Sequence, residues 1–110
     1  MGKGKSDLLH GTLDLLILRS LSVNSLHGWA ISKHIQMISE DVLEVNQGSL
    51  YPALYRLEDR GWISADWGTT DTGRRAKIYK LTRVGKKELA SEASQWEAFT
   101  LAVNRVLGTA

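Results

Sequence analysis

The sequence contains no cysteine. Disulfides, thiolate nucleophiles and cysteine-ligated metals are therefore excluded, and a reducing compartment suits the chain. Proline occurs once in 110 residues, so there is no proline-rich linker or tail. Long apolar runs are also missing. The most apolar stretch, LLHGTLDLLILRSL from residue 8, is interrupted by His10, Thr12, Asp14 and Arg19. It makes a poor signal peptide and no membrane span. MGKGKS at the N-terminus matches a myristoylation pattern only at Gly2 and Ser6, too little to assign a lipid anchor. No internal repeat or low-complexity segment is visible.

Neither sign of charge dominates: the net charge is only +2. Distribution says more than the sum. From Arg74 to Lys87 there are seven basic residues and no acidic one. Such a run is either a solvated face or a local surface for phosphate. With 43% hydrophobic and 24% charged residues, the chain has the content of one globular domain with room for an extra helix.

Periodicity divides the chain into elements. Residues 8–22 predict a helix on which Leu9, Leu13, Leu16 and Leu21 mark one stripe, widened nearly all round by Leu8, Leu15, Ile17 and Leu18. A helix apolar on most sides is buried on most sides, which points to a second surface packing on it, from another subunit. A second helix spans about 27–39, with Ile31, Ile35 and Ile38 on one face. EDVLEV at 40–45 alternates weakly and reads as a short strand. A third helix lies in GSLYPALYRLEDRGW, where Leu50, Leu54 and Leu57 form the buried stripe and Gly61 the stop. Two strands, 62–68 and 75–82, flank the turn-rich TTDTGR and predict a hairpin. Thr82 caps a last helix over 83–107.

This order predicts a mainly α protein with a small β-hairpin, an α+β winged helix-turn-helix over residues 1–82, followed by a dimerisation helix over 83–110. The last helix carries Leu89, Trp96, Phe99 and Val103 at mixed three-four spacing, which suits a helix folded back on its own domain or one paired with a partner subunit. So short a chain leaves little to pack on it, which favours pairing. With Leu9, Leu13 and Leu16 these four residues are the candidate subunit interface.

The outward face of the third helix is polar, aromatic and basic, as a major-groove reader requires. Arg56 can reach a phosphate or a guanine edge. Tyr51 and Tyr55 can donate to phosphate oxygens, and Gln47 and Ser49 sit where the helix dipole favours anions. Arg74, Arg75 and Lys77 of the hairpin would grip backbone beside the groove. Each residue alone is as well explained as solvated surface; their sharing one face, followed by a basic hairpin, favours DNA. Pro52 stands within this helix, where it costs a hydrogen bond. It points away from the leucine stripe, so core packing does not explain it.

GSLYPALYRLEDRGWI (48–63) and GRRAKIYKLTRVGKKEL (73–89), with LLHGTLDLLILRSL and LHGWAISKHI before them, resemble the paired signatures of the PadR-like transcriptional regulators. The likeness covers about residues 6–107 and is nearest the short form, in which one C-terminal helix replaces a longer effector domain. It implies a cytoplasmic homodimer of a bacterium or archaeon, usually repressing through a palindromic operator. Its recognition-helix contacts carry over to Gln47, Ser49, Tyr51, Pro52 and Tyr55, and its wing contacts to Arg74, Arg75 and Lys77. A departure is Trp29, where relatives often have tyrosine. Some relatives hold flat aromatic compounds between tryptophans of the last helices. Trp96 is the matching residue here, either as an effector platform or as a plain anchor between subunits.

Other chemistries find little support. Of His10, His27 and His34, the last two are seven apart and could share a helix face, but no carboxylate or third histidine stands at ligand spacing on that helix, so neither metal nor cofactor is expected. Ser49 lacks a G-x-S-x-G setting, and Asp41 with Glu44, or Glu58 with Asp59, read as solvated charges, so no enzyme is expected. The rival to a DNA-binding repressor is a winged-helix module that binds protein only. The acid-free hairpin argues against it.

Overall fold

The computed structural model describes residues 3–108, with side chains from residue 12 onward. The elements run α1 (Lys3–Val23), β1 (Leu26–His27), α2 (Gly28–Ile38), α3 (Gln47–Asp59), β2 (Ile63–Thr69), β3 (Arg75–Leu81) and α4 (Arg83–Leu107). The four helices lie where periodicity puts them, although α1 begins about a turn and a half earlier.

α1 is the centre of the fold. α2, α3, α4 and β3 all pack against it. Its Leu13, Ile17, Leu18 and Leu21 meet Ile31 and Ile35 of α2, Leu50, Leu54 and Leu57 of α3, and Ile63 and Tyr79 of the sheet. Each such aliphatic side chain contributes about 1.5–3 kcal/mol when fully buried. This corrects the sequence reading of α1. From Leu13 to Leu21 its core side chains are covered by its own chain, and Leu13, expected at a subunit interface, is 2% exposed and has no surface left for a partner. Leu16 and Leu89 are half-buried against the same core. The side chain of Leu9 lies outside the described residues.

One more expectation is corrected. EDVLEV is not a strand. Glu40 and Asp41 both adopt positive φ, 53° and 66°, and their amides bond back to Met37 and Gln36 to terminate α2. The β2–β3 hairpin forms as expected, and a further strand joins it. Leu26 and His27 pair with Tyr79 and Ile78, giving a three-stranded antiparallel sheet in the order β1-β3-β2. A two-residue strand is too short to show any alternation, so the sequence hides it.

The caps explain why α3 and α4 begin and end where they do. The Asn46 side-chain oxygen accepts from the Ser49 amide at 2.9 Å. At the other end Gly61, at φ 79°, donates to Glu58 while Trp62 donates to Leu57, a Schellman stop. With Asn46 as cap, Pro52 is the sixth helical residue. Its missing N–H costs the single bond to the Gly48 carbonyl, and the helix runs on to Asp59. Thr82 caps α4, accepting from the Gly85 amide at 3.0 Å. Gly85 itself is fixed by crowding: a Cβ there would stand 1.9 Å from the Trp62 carbonyl oxygen. This close approach anchors the start of α4 on the turn between α3 and β2.

Along α4, Ala93, Thr100 and Asn104 are partly covered, while an apolar stripe beside them is left open. Leu89, Trp96 and Val103 recur at seven-residue intervals, as do Phe99 and Val106. Leu89 packs on the core, yet Trp96 is 40%, Phe99 60% and Val106 87% exposed. The radius of gyration, 15.0 Å, exceeds the roughly 13 Å of a compact chain this long.

Candidate nucleic-acid interface

A turn of ~100° per residue sorts the surface of α3 around its buried leucines. Gly48, Pro52, Tyr55 and Asp59 form the outward crest. Gln47, Tyr51 and Glu58 lie on the flank toward the wing, and Ser49, Arg56 and Arg60 on the flank toward α1.

On the wing-side flank, α3, the start of α2 and the hairpin enclose an open groove of about 910 Å³. Six of the sequence-predicted DNA residues line it: Gln47, Tyr51, Tyr55, Arg74, Arg75 and Lys77. Strand register explains how the hairpin contributes. Trp67 faces Lys77, Thr69 faces Arg75 and Ala65 faces Tyr79 across the β2–β3 ladder. These directly opposed residues share one face of the sheet. Lys80 lies on the other face, opposite Ser64, while Arg83, Lys86 and Lys87 are exposed on the first turns of α4. The acid-free basic run is thus divided among three surfaces, and only Arg74, Arg75 and Lys77 reach the groove.

Side chains in the groove are held before any ligand arrives. Lys77 Nζ is 3.6 Å from Glu58 Oε1, tying the wing to α3, and stands over the Tyr79 ring at 5.8 Å. The Arg75 guanidinium lies 4.9 Å from the Trp67 ring centroid. The Tyr51 ring packs on Gly28, where a Cβ would fall 2.7 Å from the phenol oxygen. Only a glycine at the start of α2 lets α3 approach with a tyrosine at this position. Tyr55, by contrast, projects freely at 78% exposure. Tyr79 lies buried at the floor. Burial chiefly, and then the negative charge of Glu58 and the neighbouring Tyr51 and Tyr55, raise its phenol above the usual 10.0 and keep it neutral.

α2 contributes residues that sequence reasoning missed. The His27 Nδ1 accepts from the Ala30 amide at 3.3 Å and so caps α2. Its ring stacks with that of Trp29, which Lys33 also covers at 5.3 Å. Trp29, Glu58 and Trp67 all line the groove. Trp29 is marked in the sequence only by its departure from tyrosine. The place of Trp67 depends on the hairpin register, which no local signal sets.

Three expected residues lie elsewhere. Pro52 is exposed on the crest, and Ser49 is half-buried with its amide spent on the Asn46 cap. Arg56 is engaged: its guanidinium pairs with Asp14 of α1 at 2.5 Å, and Arg60 approaches the other oxygen of the same carboxylate at 3.7 Å. In the free chain Arg56 therefore ties α3 to α1.

The arrangement suits a polyanionic duplex. A helix with an aromatic and amide face, a helix N-terminus beside it, and a cationic hairpin at its flank supply base contacts and backbone contacts together. The only acidic residue on the crest, Asp59, stands at its C-terminal end, so the N-terminal half of α3 is the part that can enter a groove. Among the described residues there is no group of three or more His, Asp or Glu side chains fit to hold a metal. No described helix is long and apolar enough to cross a membrane.

Three core helices with a hairpin that walls the third define a winged helix-turn-helix DNA-binding protein. The chain belongs to the PadR-like family of transcriptional regulators, whose model matches residues 17–91. It is similar to a transcriptional regulator from Clostridium thermocellum (29% identity, 90% of this chain and 96% of that one, TM-score 0.82). A PadR-like regulator from Bacillus cereus superposes with a TM-score of 0.79 at 26% identity, over 92% of this chain and 96% of its own. A transcriptional regulator of Mycobacterium tuberculosis is 32% identical over 78 residues, 71% of this chain and 69% of that protein. The protein is a DNA-binding regulator and not an enzyme.

Proposed function

We propose that two copies of this chain pair through the distal half of α4 and bind a pseudo-palindromic operator as a repressor in the bacterial cytoplasm. The observation that carries this reading is the stripe on α4. It begins against the chain's own core at Leu89 and continues uncovered through Trp96, Phe99, Val103 and Val106. A second copy offers the identical stripe, and two-fold pairing buries both at once. Two α3 helices then address successive major grooves about 34 Å apart, with Arg74, Arg75 and Lys77 of each wing on flanking phosphates. Gln47, Ser49, Tyr51, Pro52 and Tyr55 are the recognition-helix contacts. The motif resemblance supports repression as the direction of control.

An aromatic effector is a further part of the reading. The Trp96 and Phe99 rings lie 6.1 Å apart and tilted by 38° on the exposed stripe. A pair of subunits would set two such clusters face to face, a slot suited to a flat ring system.

Equilibrium sedimentation with an operator titration tests the core of the proposal. The expected result is twice the chain mass in free solution, and one such pair on DNA from the protein's own upstream region. A monomer that binds that DNA with unchanged affinity would remove the pairing. Quenching of tryptophan emission by planar aromatics in wild type, lost in Trp96→Ala, tests the effector.

A further inference from the structure

Neither the core nor the contacts assigned above account for Trp67. It stands 61% exposed on β2, on the groove face of the wing. A large indole left in water on a hairpin adds little to folding. The Arg75 guanidinium lies 4.9 Å from its ring centroid, diagonally across the strand pair from it.

The two strand cations on the groove face of the wing are held by different means. Lys77 is held by the Glu58 carboxylate, which partly neutralises it and which phosphate must displace. Arg75 has no ion pair among the described residues; an aromatic face holds it instead. A π-face orients a guanidinium yet leaves its net charge and its edge N–H donors free. A free arginine loses much rotamer freedom when it docks on a phosphate, and ordering it beforehand reduces that loss.

We propose that Trp67 is a positioning residue for DNA binding: a platform that pre-orders the Arg75 guanidinium toward the phosphate backbone. The inference rests on the proposed reading that Arg75 contacts DNA. It assigns the exposed indole a role that hairpin stability does not require. It also makes the aromatic surface of Trp67, and not its bulk, the property that matters.

A double-mutant cycle on operator affinity tests it, with the salt dependence measured for each variant. Exposed cation–π pairs predict a loss of roughly 2- to 5-fold for Trp67→Ala. Trp67→Phe should retain most of the affinity. Trp67→Leu, which keeps bulk without a π-face, should behave like alanine while unfolding at the wild-type temperature. In an Arg75→Ala background, Trp67→Ala should cost nothing further. The slope of log affinity against log salt should stay at the wild-type value in Trp67→Ala. It should become shallower by about 0.9 for each arginine lost in Arg75→Ala. Additive losses, or leucine serving as well as phenylalanine, would overturn the platform while leaving Arg75 a contact. An Arg75→Ala protein that binds like wild type would overturn both assignments.

Discussion

The groove beside α3 and the distal half of α4 are both exposed, but they are exposed differently. In the groove several large side chains are already engaged, Tyr51 on Gly28, Lys77 with Glu58, Arg75 on Trp67 and Trp29 with His27, while Tyr55 projects. On α4 the Trp96–Phe99 contact is made within the helix itself, and beyond Leu89 the stripe is exposed, Val106 most of all. The first surface is finished by one chain, as binding a stiff polyanion requires, because ordering cost is met during folding. The second is apolar and unfinished, as a surface awaiting its own copy would be.

Breaking the unfinished surface should have the largest effect. Trp96→Asp combined with Phe99→Asp places charges on the proposed seam. The expected outcome is a chain that sediments as a monomer and binds operator at least about 100-fold more weakly, the loss of linked half-site binding. Its helical circular dichroism should persist, since neither residue belongs to the buried core. Retained mass would show that the stripe has no part in pairing.

Breaking the finished surface should cost less and cost it differently. Arg74→Ala with Arg75→Ala should lower affinity for all DNA sequences by roughly 10-fold or more at physiological salt. The salt slope should flatten by about 0.9 per contact removed, with the mass unchanged. Unchanged affinity in this variant would take the wing off the DNA. Tyr55→Ala should weaken operator binding several-fold with an unaltered melting temperature, because its exposed ring contributes nothing to the core.

Pro52→Ala sharpens the comparison with the smallest effect on binding. Restoring the bond to Gly48 should raise stability by up to about 3 kcal/mol, measured by denaturant unfolding. Operator affinity should fall slightly as the crest relaxes. A variant equal to wild type in both respects would make the proline merely tolerated.

How much of this was legible in the sequence depends on the range of the interaction. Leu50, Leu54 and Leu57, the Thr82 cap and the Gly61 stop are local patterns, and α3 and α4 follow from them. The groove residues were legible in the same way, since helix period and a hairpin place Gln47, Tyr51, Tyr55, Arg74, Arg75 and Lys77 together. The ion pair of Arg56 was not legible, because its partner, Asp14, lies 42 residues earlier on another helix. Leu13 was misread because an all-round apolar helix looks the same whether its own chain or another covers it. Trp67 and the two-residue β1 depend on strand register, which is set by tertiary pairing and not by composition.

The central claim is that one preorganised groove is presented twice, by a symmetric pair. Selecting bound sequences from a random duplex pool tests it most directly. The account predicts an enriched inverted repeat whose half-site centres lie about one helical turn, roughly 10 base pairs, or a multiple of it, apart. Enrichment of a single unrepeated site, or of none, would contradict it.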